Sequence, residues 1–258
     1  MGIEYQGTGF HGWQTQEPGV RTVQSVLEQG IAKVADHPVR VHCAGRTDSG
    51  VHALEQVVHF DTRSIRRPRA WVLGTNVNLP PDCCVRWAQE VDSGFHARFS
   101  ATARHYRYRI LNRPTRSALE RDRALWIHRA LDLGLMVEAA SHLVGEHDFS
   151  SFRAVACQAK SPIRRVHYLD LEEARGGLIE LRIGANGFLH HMVRNIVGVL
   201  VAVGRGEAPP TWTRDLLEVR DRTLGGVTAR PEGLCFVRVD YPANVDLPQA
   251  PLDDLVLI

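Results

Sequence analysis

Apolar periodicity along this chain switches from alternating to helical and back in the same order twice, and that repeat restricts the fold more than any single motif does. In the first pass a short strand at residues 2–5 precedes a helix from Thr22, in which Val23, Val26, Leu27, Ile31 and Val34 recur at helical spacing. Val39 to Cys43 then alternates, Val57 to Phe60 is a short apolar run, and a helix near 68–77 and a strand near 83–88 complete the unit. The second pass reads strand 103–111, helix 132–144, strands 166–172 and 178–183, helix 187–204 and strand 234–240, with a short helix at 211–219 inserted before the last strand. Two successive β-α-β-β-α-β units predict an α+β fold of two ferredoxin-like (split βαβ) halves, with mixed, mainly antiparallel sheets and helices on one face. The expected boundary gives a first half at residues 1–98 and a second at 99–258.

Several function classes are set aside by composition. The chain is 44% hydrophobic and 23% charged, and no apolar run approaches the roughly 20 residues that cross a bilayer, so no membrane association is expected. No basic stretch followed by an apolar one opens the chain, which makes the cytoplasm the expected location. Five scattered cysteines without a Cys-x-x-Cys pair signal neither a disulfide framework nor a zinc site. Neither His190-His191 nor Glu146-His147-Asp148 has metal-ligand spacing, so no metal is expected. Net charge is only +2, yet nine arginines lie between Arg98 and Arg129 against two acids, Glu120 and Asp122. Lys33 and Lys160 are the only lysines, so the positive charge is almost wholly guanidinium, which suits bidentate phosphate contacts and base stacking. A GC-rich genome gives the same arginine excess without any such role. The weakly periodic, basic stretches 112–129 and 153–165 read as binding loops.

Three stretches carry the chemistry. Gly45-Arg46-Thr47-Asp48-Ser49-Gly50 brackets a carboxylate and a guanidinium with glycines, which lets a tight turn present Asp48 as a nucleophile or base. The same residues also suit an ordinary turn in which Asp48 caps backbone N–H groups and Arg46 makes a surface ion pair. In the strand Arg104-His-Tyr-Arg-Tyr-Arg109, Tyr106 and Tyr108 fall on one face and Arg107 and Arg109 on the other, an alternation that suits RNA bases and phosphates. Core tyrosines with satisfied hydroxyls are the alternative, above all for Tyr108. Along the helix from Gly187, residues His190, His191, Arg194 and Asn195 are expected to share the side opposite an apolar stripe, with Gly198 allowing close approach and Arg194 meeting a carboxylate or phosphate.

Taken in order, Tyr5-x-Gly-x-x-Phe-x-Gly-Trp-Gln, Ala44-Gly-Arg-Thr-Asp-Ser-Gly-Val-His, Phe95-His-Ala-Arg-Phe-Ser-Ala-Thr-Ala-Arg-x-Tyr-Arg-Tyr and His190-His-Met-Val-Arg-Asn-Ile-Val-Gly resemble the tRNA pseudouridine synthase A family over nearly the whole chain. Gln6 departs from the aspartate usual in that family. The resemblance implies an active-site cleft between the halves, a catalytic Asp48, Tyr106, Arg46 and Arg194 as substrate-binding residues, and Arg194 as the ion-pairing basic residue that keeps the Asp48 carboxylate ionised. It further implies a tRNA substrate, uridine targets at positions 38, 39 and 40 of the anticodon stem and loop, and a homodimer. The reaction exchanges a C1′–N1 bond for a C1′–C5 bond within one nucleotide, so no cofactor is expected. Whether Asp48 attacks C6 or C1′, or assists sugar deprotonation, stays open. Two rivals remain: a catalytically inert RNA-binding protein on the same scaffold, and a metal-dependent hydrolase that chelators would silence.

Overall fold

A computed structural model of the chain describes residues 1–250, so residues 251–258 of the expected second half lie outside the described residues. In chain order the elements are β1 (Gly2–Tyr5), α1 (Val23–Ala35), β2 (His42–Cys43), β3 (His52–His59), α2 (Pro68–Val77), β4 (Cys83–Trp87), β5 (Ala103–Asn112), β6 (Leu125–Ile127), α3 (Leu133–Ser141), β7 (Gly145–Asp148), β8 (Ile163–Ala174), β9 (Leu178–Ala185), α4 (Met192–Gly204), α5 (Trp212–Val219) and β10 (Leu234–Asp240). No helix among the described residues is long and apolar enough to cross a membrane. The chain divides into two compact units, Met1–Thr102 with the segment from Cys235 onwards, and Ala103–Leu234.

In the first unit β1 lies between β3 and β4, antiparallel to both, while β10 pairs in parallel with β3 and β2 pairs antiparallel with it. The strand read as closing the second half is therefore an element of the first unit. Helix α1 begins where the sequence places it because the Thr22 hydroxyl accepts the Ser25 N–H at 3.2 Å while the Ser25 hydroxyl receives the Thr22 N–H. Its stripe of Val23, Leu27 and Ile31 is buried together with Ile3 of β1, each side chain contributing roughly 1.5–3 kcal/mol by leaving water. Pro68 at the first helical position starts α2, which packs on α1. On β3 the strand extends back to His52, well before the apolar run that marked it in the sequence.

In the second unit β9 is flanked by β5 and β8, antiparallel to both, and β7 adds antiparallel to β8. Tyr108 faces Leu181 and Ile110 faces Ile179 across the β5–β9 ladder. Helix α3 packs on α4 and against β8, with Asp132 accepting the Leu135 N–H as its cap. The expected loop 112–129 holds β6, which pairs in parallel with β5 and is tied to Asn112, whose side-chain amide donates to the Ile127 carbonyl at 3.0 Å.

Candidate active site

The Asp48 loop is clamped by the segment that precedes α1. Trp13 N–H donates to the Thr47 carbonyl at 3.0 Å, the Tyr5 hydroxyl and Thr47 Oγ1 are 2.7 Å apart, and the Phe10 carbonyl takes both Gly50 N–H and the Ser49 hydroxyl. From the other side, Gln56 of β3 closes two bonds with the backbone of Gly45. Two glycines are needed for this approach. Gly50 turns the chain at φ +81°, and a Cβ on Gly12 would lie 3.0 Å from the Thr47 carbonyl oxygen. Thr47 is thereby buried, whereas Asp48 is half-buried and Arg46 exposed. A carboxylate on a backbone fixed at four points costs little reorganisation when it reacts. Arg46 makes no hydrogen bond or ion pair among the described residues, so the surface ion pair allowed by the turn reading is not formed and its guanidinium is not what fixes Asp48. Tyr5, Phe10, Gly12 and Trp13 are the loop's positioning residues. Their spacing was visible in the sequence, but their target was not.

Cys43, next to the loop, is no rival nucleophile, since burial pushes its thiol up to about 12. Beside it, the rings of His42, His59 and His96 form a cluster, with His59 stacked on His42 at 5.1 Å and meeting His96 edge to face at 4.4 Å. Burial, followed by His96 and His42, lowers His59 to about 4, and burial lowers His96 as well. His59 Nδ1 accepts the Ala97 N–H at 3.1 Å, which fixes the segment Phe95-His-Ala-Arg-Phe-Ser beside the strand leading into the loop.

In the second unit, Tyr106 is 9% exposed on β5 and meets Phe188 edge to face at 5.0 Å. Tyr108 is core: it is fully buried and its hydroxyl donates to the Arg230 carbonyl at 2.6 Å. The two strand arginines are committed within the protein, Arg109 to Glu120 at 3.1 Å and Arg107 to Glu180 at 4.0 Å, which corrects their expected role as phosphate contacts. Helix α4 also differs from expectation. It starts at Met192, because His191 adopts a left-handed conformation at φ 61° and acts as the N-cap residue. His190 and His191 therefore sit on the turn before the helix rather than on its polar face, and Asn195 is buried. Arg194, half-buried in the first turn, donates from Nε to the Ala229 carbonyl at 2.8 Å. A cation near the positive end of a helix with no acid in its first turn makes that end attractive to an anion.

Residues 1–100 and 139–242 match the family described as tRNA pseudouridine synthase. The chain is 58% identical over 249 residues to a tRNA pseudouridine synthase A of Nitrosococcus oceani, covering 96% of this chain and 95% of that one. It is 57% identical to a tRNA pseudouridine synthase A of Pseudomonas aeruginosa, covering 96% and 87% respectively. Among solved structures, a Cbf5-Nop10-Gar1 complex aligns with a TM-score of 0.35 at 11% identity, over 92% of this chain and 57% of that one.

Proposed function

The chain belongs to the tRNA pseudouridine synthase family and is an isomerase that converts uridine in tRNA to pseudouridine; from that premise we propose that its targets are uridines 38, 39 and 40 of the anticodon stem and loop. Asp48 is the catalytic carboxylate, and Arg46, Tyr106 and Arg194 bind the substrate. The clamped loop carries this reading: four backbone and side-chain attachments hold a half-buried carboxylate beside an arginine that forms no internal bond. In the reaction C1′–N1 breaks, the uracil turns, C5 bonds to C1′, the C5 hydrogen leaves as a proton and N1 regains one. Atoms and electrons balance within the nucleotide, so no cofactor or metal is called for.

The target base has to leave the helical stack to reach a loop carboxylate. Tyr106 stacks against the extruded uracil, and the exposed Arg46 fills the space it vacates. Arg194, at the positive end of α4, takes a negatively charged group. The first unit supplies the catalytic loop and the second unit, Ala103–Leu234, the basic tRNA-binding surface, on which Arg116, Arg123 and Arg129 are exposed and make no ion pair among the described residues. The protein works in the cytoplasm as a homodimer, which sedimentation at twice the chain mass tests.

For the target positions, transcripts with a single uridine at 38, 39 or 40 are incubated with the protein and pseudouridine is mapped by carbodiimide adducts in primer extension. Stops at these positions are expected. Modification confined to other uridines overturns the assignment, and tRNA binding without any modification favours the inert RNA-binding reading.

A further inference from the structure

Residues 221–230 cross the first turns of α4, and their contacts converge on Arg194. Ala229 holds that residue twice: its N–H donates to the Arg194 carbonyl at 3.0 Å, and its carbonyl accepts from Arg194 Nε at 2.8 Å. With Nε fixed, the guanidinium is held in one orientation. One residue earlier, the Thr228 hydroxyl donates to Asn195 Oδ1 at 2.7 Å and receives Arg222 at 3.0 Å. Arg222 also donates to Asn195 Oδ1 at 3.1 Å, and the Asn195 amide donates to the Phe152 carbonyl at 2.7 Å, so this 1% exposed side chain is satisfied on both ends. Gly198 admits the segment: a Cβ there would lie 1.8 Å from the Val227 carbonyl oxygen. Beyond Ala229, the Arg230 carbonyl is held by Tyr108, two residues along β5 from Tyr106.

We infer that residues 221–230 form a positioning strap, with Asn195, Thr228 and Arg222 as its knot and Gly198 as its seat, that holds the Arg194 guanidinium in place for the anionic group it pairs with and ties α4 to the strand bearing Tyr106. The inference rests on the proposed role of Arg194. A segment serving the core alone has no need for one alanine to hold both the main chain and the side chain of a substrate-binding arginine. None of the knot residues touches substrate. They act through Arg194, so their loss appears in turnover and leaves tRNA affinity, which rests on many phosphate contacts, in place.

The test compares Thr228→Val, Thr228→Ser, Gly198→Ala, Arg194→Lys, Arg194→Ala and the Thr228→Val/Arg194→Lys double variant in the full chain, measuring kcat, KM, tRNA Kd and Tm. Thr228→Val removes the hydroxyl at nearly constant volume, and kcat should fall on the order of tenfold with Kd within about twofold. Thr228→Ser should restore turnover. Gly198→Ala installs a better helix former yet displaces the Val227 carbonyl, so kcat should fall while α4 stays helical. In the double variant the Thr228→Val loss should largely vanish, because both changes disable one group. Wild-type kcat in both Thr228→Val and Gly198→Ala, with Arg194→Lys impaired, overturns the strap alone. Wild-type kcat in Arg194→Lys and Arg194→Ala overturns the role of Arg194 itself. Equal losses in Thr228→Val and Thr228→Ser, or full additivity with Arg194→Lys, reduce the segment to a structural part and also overturn the inference.

Discussion

Replacing His59 by Asn should flatten the loss of stability on acidification, by an amount the cluster around the ring allows to be worked out. His59 Nδ1 accepts the Ala97 N–H, so a proton on that nitrogen sets donor against donor, while His96 and His42 face the ring and disfavour its charge. The Met1 α-amino group adds to this repulsion, and Asp61 opposes it. The folded-state value is about 4 against 6.5 in the unfolded chain, so between these limits the unfolded state binds the proton first. Stability is therefore fully present above pH 6.5, falls as pH drops towards 4, and is constant below that with respect to this group. At roughly 1.4 kcal/mol per pH unit the limit is roughly 3 kcal/mol, and solvent around a half-buried ring lowers it to roughly 1–2 kcal/mol. Asn places an acceptor close to the position of Nδ1 and does not titrate. Urea unfolding of both proteins at pH 7.5, 5.5 and 4.5 should show wild type losing that much more than the variant on the way down. Parallel profiles, or wild type gaining on the variant in acid, would refute the reasoning. Because β2 leads directly into the Asp48 loop, activity should fade over the same window.

Other changes probe the parts separately. Tyr5→Phe removes the hydroxyl next to Thr47 Oγ1 while keeping the buried ring, and should lower kcat on the order of tenfold with tRNA affinity unchanged; unaltered single-turnover rates would discount the clamp. Thr22→Ala deletes the cap of α1 and should cost about 1 kcal/mol, seen as a drop of roughly 2–4 °C in Tm by calorimetry, with no change in KM. Neutralising Arg116, Arg123 and Arg129 to Ala should weaken tRNA binding regardless of sequence and reduce the slope of log K against log salt by roughly 0.7–0.9 for each phosphate no longer neutralised, read by filter binding across 50–200 mM salt.

Local signals in the sequence translated directly where the neighbours in sequence decide the structure. Pro68 marks the start of α2, Thr22 the cap of α1, and the alternation through residues 234–240 gives the bounds of β10. The glycine-bracketed loop turns as its composition requires. Misreadings arose where distant segments decide. Phe188 and Leu189 continue the apolar stripe of α4 backwards, and nothing local reveals that His191 breaks it with a positive φ. Asn195 looks like a surface residue until residues 221–230 cover it. Arg107 and Arg109 share the pattern of an RNA-binding strand, yet Glu180 and Glu120, remote in sequence, claim them. Strands β6 and β7 span three and four residues, too short to show a period amid arginines, glutamate and histidine. The clamp on Asp48 lay in plain view as motif spacing, but its meaning needed the Trp13 and Tyr5 contacts with Thr47.

The most direct test of Asp48 as the catalytic group is tritium release from tRNA labelled at uridine C5, since forming the C5–C1′ bond expels that hydrogen. Wild-type protein should release tritium, with EDTA making no difference, and Asp48→Asn should release none while binding tRNA with unchanged affinity. Equal release by the two proteins would contradict the assignment of Asp48.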